Sequence, residues 1–145
     1  MEITMLSLFR EKVKQYRDIT ALYHKDKNGK FQSVSFTELF NLASQFGAGL
    51  YASKIKRGTH IGVISNNRKE WIISNFGILG IGALDVPRGS DSTADEIEYI
   101  LDHAECPVCL VEDSEQLKKV LSIKKHLPKL KSLIVLDEDF KKTPK

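Results

Sequence analysis

"GILGIGALDVPRGSDST", residues Gly77 to Thr93, holds four glycines, an arginine and a cluster of hydroxyls in seventeen positions. Its glycines run G-x-x-G-x-G, the reverse of the dinucleotide fingerprint, and they close a helical pattern that passes into a short apolar run. A phosphate cradle needs the opposite order, strand then glycine turn then helix N-terminus, because the free N–H groups and the positive dipole end lie where a helix begins. The polarity therefore assigns Gly77 to Gly82 to packing. Gly77 and Gly80 share a face with Ile73, which predicts a helix lying close on a sheet.

Outward from this stretch, strands and helices alternate. His60 to Ser65 reads as a strand, Arg68 to Gly82 as a helix opened by Asn67 with Glu70 three positions later, and Leu84 to Pro87 as a second strand. Thr93 to Ala104 is a helix with Thr93 and Glu96 as a capping box and Ile97, Ile100, Leu101 and Ala104 as its buried stripe. Val108 to Glu112 is a strand, Ser114 to Leu127 a helix stopped by Pro128, and Ser132 to Leu136 a last strand. Four apolar strands separated by helices imply right-handed crossovers and α/β architecture, a mainly parallel sheet with helices on both faces.

Before the alternation, residues near Thr4 to Arg17 keep a helical stripe of Leu6, Phe9, Val13 and Tyr16. Ala21 to His24 and Gln32 to Val34 flank Lys27-Asn28-Gly29-Lys30, which predicts a hairpin. Ser35-Phe36-Thr37-Glu38 reads as another capping box. It opens a helix with Phe36, Leu39, Phe40, Ala43, Phe46, Gly47 and Leu50 on one face. Phe40, Phe46, Ile72, Phe76 and Leu79 are expected core positions.

Three motifs invite a chemical reading. Phe46-Gly47-Ala48-Gly49-Leu50-Tyr51-Ala52 matches G-x-G-x-x-A but lies inside a helix, where it cannot cradle phosphate. Arg88-Gly89-Ser90-Asp91-Ser92-Thr93 has the correct polarity, yet Asp91, Asp95 and Glu96 already fill the helix start and repel a phosphate, so capping is the expected role. His103-Ala104-Glu105-Cys106-Pro107-Val108-Cys109 contains H-x-E and C-P-x-C, but the fragments are fused and no second cluster supplies further zinc ligands. If both cysteines lie in the extended run, their odd separation points them to opposite faces, and buried thiols are expected. His24, His60 and His126 have no acid or nucleophile beside them in sequence. The residues thus assign no catalytic, cofactor-binding or metal site.

At 145 residues, 41% hydrophobic and 28% charged, the chain is sized for one globular domain. No apolar run is long enough for a signal peptide or membrane span before charge interrupts it. Net charge is only +3. Nine lysines fall between Lys118 and Lys145, without interleaved aromatics, which argues against nucleic acid. Residues 137–145 are expected to form a flexible tail.

Four segments occur in an order that resembles the N-terminal part of adenylate-forming, AMP-binding enzymes. They are Ser35-Phe36-Thr37-Glu38-Leu39; Arg57-Gly58 before Ile61-Gly62-Val63-Ile64-Ser65-Asn66-Asn67-Arg68-Lys69-Glu70-Trp71; Gly82-Ala83-Leu84-Asp85-Val86-Pro87; and Glu96-Ile97-Glu98-Tyr99-Ile100-Leu101. The Ser-Asn-Asn-Arg-x-Glu-Trp stretch is most similar to the long-chain acyl-CoA synthetase branch. The resemblance covers about Thr20 to Leu136 and implies that residues 1–145 form a single partial domain. It also implies a complete enzyme that activates a fatty acid with ATP, magnesium and coenzyme A in the cytoplasm or at a membrane surface. The family's phosphate loop, Thr-Ser-Gly-Thr-Thr-Gly-x-Pro-Lys, and its C-terminal lysine match no residues here, so the fragment alone is expected to be inactive. It is expected to meet the rest of the enzyme or to self-associate through sheet edges. The alternative is a stand-alone, non-catalytic α/β binding or interaction module.

Overall fold

The computed structural model describes residues 3–140. In chain order the elements are α1 (Met5–Tyr16), β1 (Thr20–Lys25), β2 (Phe31–Ser35), α2 (Phe36–Ala52), β3 (His60–Ile64), α3 (Lys69–Gly80), β4 (Leu84–Arg88), α4 (Ala94–His103), β5 (Val108–Val111), α5 (Ser114–Ser122), a 3-10 turn (Lys124–His126) and β6 (Ser132–Val135). They form two compact units, one holding α1, β1, β2, α2 and α3, the other holding β3 to β6 with α4 and α5.

In the first unit, α1 opens on a reciprocal pair. The Thr4 hydroxyl accepts the Ser7 N–H at 3.1 Å and the Ser7 hydroxyl accepts the Thr4 N–H at 2.8 Å, which satisfies two of the donors a helix start leaves open. The hairpin forms as predicted, β1 antiparallel to β2. Gly29 alone supplies the positive φ, at 74°, while Asp26 Oδ1 accepts from the N–H groups of Asn28 and Lys30, both at 2.9 Å. This is a type I turn closed by a left-handed glycine. Ser35 caps α2 by accepting the Glu38 N–H at 3.2 Å. The cap is one-sided: Ser35 is also the last residue of β2, registered against Thr20, so it serves the strand as well as the helix.

The core of this unit gathers Phe9, Val34 and Leu39. Phe9 stacks on Phe76 with ring centroids 3.9 Å apart and tilts against Phe40 at 5.9 Å; such ring pairs add about 0.5–1.5 kcal/mol each beyond their burial. Of the expected core positions, Phe40, Ile72 and Phe76 pack against this cluster; these three, Phe46 and Leu79 are half-buried, and in α3 full burial falls on Ser74, Gly77 and Ile78. The N-cap of α3 is Arg68, not Asn67, and no side chain caps it. Instead the Arg68 side chain reaches Glu70 at 2.6 Å, so Glu70 is drawn to a cation and not back to the cap backbone.

Gly77 packs against a helix, which corrects the expectation of a close approach to the sheet. A Cβ on Gly47 would stand 2.9 Å from the Gly77 carbonyl oxygen, and one on Gly77 would stand 2.9 Å from the Ala43 carbonyl oxygen. Nothing lies within 4 Å of a Cβ placed on Gly80, so only the first of the two helical glycines is a contact.

In the second unit the four strands are parallel in the order β4-β3-β5-β6. Pro87, which cannot donate to a ladder, sits in the edge strand β4, where such a residue is tolerated. Residues of both sheet faces are buried, Ile61, Val63 and Leu110 on one and Ile64, Cys109 and Val111 on the other, as the continuous apolar runs of a parallel sheet require. Ile97 and Leu101 of α4 and Val120 of α5 join Ile64, Cys109 and Val111 in one cluster. Gly62 makes room for Leu101, because a Cβ there would overlap the Leu101 side chain and approach Cys109 Sγ to 3.1 Å.

The Thr93–Glu96 capping box is complete, with Thr93 N–H donating to Glu96 Oε2 at 2.8 Å and Glu96 N–H to the Thr93 hydroxyl at 3.3 Å. The helix read as ending at Pro128 stops earlier. α5 ends at Ser122 and a 3-10 turn carries the chain on, although Ile123 and Leu127 remain buried in the same cluster. Of the expected tail, Asp137 to Phe140 close a turn through a 3.1 Å bond from Phe140 N–H to Asp137 O; residues 141–145 lie outside the described residues.

Candidate functional site

The chain leaves β3 for β4 on one side and then crosses to β5 on the other. Open α/β sheets take ligands outside the carboxyl ends of the strands where the order reverses in this way. At that position the sheet presents Ser65 and Asn66 after β3, the Gly89–Thr93 loop after β4, and Glu112 after β5.

These groups bind one another. Glu112 Oε2 accepts the Asn66 N–H at 2.8 Å and also the Ser90 hydroxyl. Lys119 of α5 donates to the carbonyl oxygens of Ser90 and Ser92, at 2.8 and 2.9 Å. The Ser92 N–H turns back to the Gly89 carbonyl at 3.2 Å. The loop is therefore held by a carboxylate on one side and an ammonium on the other, each charge-assisted bond stronger than a neutral one.

The α4 start, the one place in this loop with the polarity of an anion site, is filled from within. Glu96 takes both the Thr93 N–H and the Thr93 hydroxyl. Those two bonds, backbone first, hold its carboxyl below the ordinary range of a glutamate, with a smaller contribution from the charge of Arg88. The group is thus ionised at neutral pH, with Asp91 and Asp95 beside it in sequence, and the residues present do not fit a triphosphate. Among the described residues, no three His, Cys, Asp or Glu side chains converge where a metal ion could sit.

The other candidate motifs resolve into structure. The Phe46–Ala52 stretch lies within α2. Cys106 precedes β5 instead of lying in it, so the alternation rule does not apply; both cysteines are free and buried, and both enter one core cluster. Burial raises the Cys106 thiol to about 11 and pushes Cys109 higher, with the neighbouring Cys106 adding to the shift at Cys109. His126 Nδ1 lies 2.8 Å from Glu98 Oε2, His60 Nδ1 lies 2.8 Å from the Ala104 carbonyl oxygen, and His24 Nδ1 lies 3.3 Å from that of Lys25. His103 stacks on the Tyr99 ring. The sequence reading missed Glu112 and Lys119. Neither has a local signal, since Glu112 meets its partners 46 and 22 positions away and Lys119 at 29 and 27.

Residues 9–145 match the model of the AMP-binding enzyme family. The chain is 28% identical over 140 residues to the long-chain-fatty-acid–CoA ligase heimdall of Drosophila melanogaster, covering 94% of this chain and 21% of that protein. It is 30% identical over 134 residues to the human long-chain-fatty-acid–CoA ligase ACSBG2, covering 91% of this chain and 20% of that protein. Among solved structures, the anthranilate CoA ligase AuaEII in complex with anthranoyl-AMP superposes with a TM-score of 0.79 at 27% identity, over 90% of this chain and 24% of that one. The chain spans about a fifth of the length of the two ligases it matches.

Proposed function

Since this chain belongs to the AMP-binding enzyme family, we propose that it is the N-terminal portion of an ATP-dependent long-chain fatty acid–CoA ligase. In the complete enzyme, a fatty acid carboxylate would attack the α-phosphate of ATP, giving an acyl-adenylate and pyrophosphate with magnesium present. The thiol of coenzyme A would then displace AMP to give the thioester. The match of residues 9–145 to the family carries this reading, and the two long-chain ligases support its substrate class.

The contribution of this chain is scaffold. Its β4–α4 loop, closed by the Glu96 carboxylate, does not fit a triphosphate. By itself the chain is inactive. The enzyme works in the cytoplasm and meets membranes peripherally, and no described helix is long and apolar enough to cross a membrane. Strands β4 and β6 are the edges of the four-stranded sheet, and in the isolated chain they are the positions where further strands, or a second copy, would pair.

The test is fatty-acid-dependent pyrophosphate release. The chain alone should give none, while the chain mixed with a separately expressed remainder of a long-chain ligase should give release that requires both parts. Release from the chain alone overturns the scaffold reading. No release from the mixture, with both parts folded, favours the stand-alone binding module.

A further inference from the structure

The β1–β2 hairpin buries one face and leaves the other open. Val34 and its cross-strand partner Leu22 belong to the core of the first unit. On the opposite face, Tyr23 pairs with Ser33 and Lys25 pairs with Phe31. Tyr23 and Phe31 are 68% and 64% exposed. They are diagonal neighbours across the strands, so two aromatic rings share one outward surface.

A soluble surface seldom presents paired aromatic rings without a partner for them. Here their surroundings are cationic. The Lys25 ammonium stands 5.3 Å over the Phe31 ring, and Lys27 and Lys30 follow at the tip. Asp26 is the sole acid from Tyr23 to Ser33. Its carboxylate is turned into the loop, accepting from the N–H groups of Asn28 and Lys30 and, at 3.0 Å, from the Gln32 amide. The outward face therefore offers rings and ammonium groups while the one opposing charge is held on the backbone.

We propose that this hairpin face is a docking surface for anionic lipid bilayers. The rings of Tyr23 and Phe31 enter the interfacial layer, where amphipathic aromatics are favoured. Lys25 and Lys30 contact the headgroups, with their alkyl stems lying along the apolar boundary. The inference deepens the peripheral-membrane part of the reading above by naming the surface responsible. It needs no substrate, so its failure leaves the ligase reading intact.

The experiment is flotation of the purified chain with vesicles of phosphatidylcholine alone and of phosphatidylcholine mixed with phosphatidylserine. The chain should float with the mixed vesicles and not with the neutral ones, and high salt should release it. Lys25→Gln with Lys30→Gln should weaken partitioning about thirtyfold, at roughly fivefold for each lysine near the surface. Phe31→Ser with Tyr23→Ser, which keeps every charge, should also abolish flotation. All four residues are exposed, and far-ultraviolet circular dichroism checks that the variants stay folded. Equal flotation with both vesicle types, no flotation with either, or unchanged flotation of either folded variant would overturn the proposal.

Discussion

Gly47 of α2 and Gly77 of α3 meet backbone to backbone, close enough that a methyl group on either would collide with a carbonyl oxygen 2.9 Å away. Alanine at either site must separate the two helices, and overpacking of this kind costs about 1–3 kcal/mol. Gly49, two residues along the same helix, has open space where its Cβ would be. There alanine should stabilise by about 0.5–1 kcal/mol, because the helix interior penalises glycine. Urea melts of Gly47→Ala, Gly77→Ala and Gly49→Ala should thus split in sign. A common sign for all three would remove the contact from the account.

Leu39 and Phe46 lie on the same helix and separate burial from size. Leu39 is 4% exposed, whereas Phe46 is only half-buried and lays its ring over Gly77. Leu39→Ala should cost about 2–5 kcal/mol, and Phe46→Ala should fall below the roughly 3–5 kcal/mol of a fully buried phenylalanine. Denaturant midpoints at equal m-values decide the order, and a larger loss at Phe46 would contradict it.

The parts of this fold that were legible in sequence are those whose physics is local. Thr93 and Glu96 form their box because three residues bring hydroxyl and carboxylate to the same two N–H groups. Gly29 closes the hairpin because few other residues accept its φ. The end of α5 was misread because its apolar stripe outlives it: Val120, Ile123 and Leu127 all face the core, the last two after the α-helix has ended. Glycine spacing announced a close approach at Gly77 but could not name Gly47 as the partner, since thirty positions separate them. Glu112 and Lys119 were invisible for the same reason, as strand register and crossover bring them to the β4–α4 loop.

The two thiols make stability fall on the alkaline side. Burial disfavours the thiolate, so Cys106 keeps its proton to about 11 in the folded chain, against an ordinary value of 9.0. Above pH 9 the unfolded chain has lost protons that the folded chain still holds, and stability must decline as pH rises through this window. The test compares the parent chain with a variant that lacks the Cys106 thiol. The drop in urea midpoint from pH 8 to pH 10 should be smaller in Cys106→Ala than in the parent chain. In native protein at pH 8 neither thiol should react with iodoacetamide at the rate of a free cysteine, and both should react in urea.

The β4–α4 loop yields the sharpest test of whether this chain holds phosphate. A helix start binds anions through its open N–H groups and its dipole. Here Glu96 occupies the Thr93 N–H, and Glu112 and Lys119 fix the loop that leads to it. Any phosphate would have to displace a carboxylate already bound and then sit beside Asp91 and Asp95. A ligand present at about a hundred times its Kd stabilises the folded state by about 2.7 kcal/mol, several degrees in Tm for a domain of this size. ATP or inorganic phosphate, each at millimolar concentration, should therefore leave the Tm of the chain unchanged. A clear rise with ATP that Glu96→Gln enhances would mean that the helix start is a nucleotide site after all, held closed only by its own carboxylate.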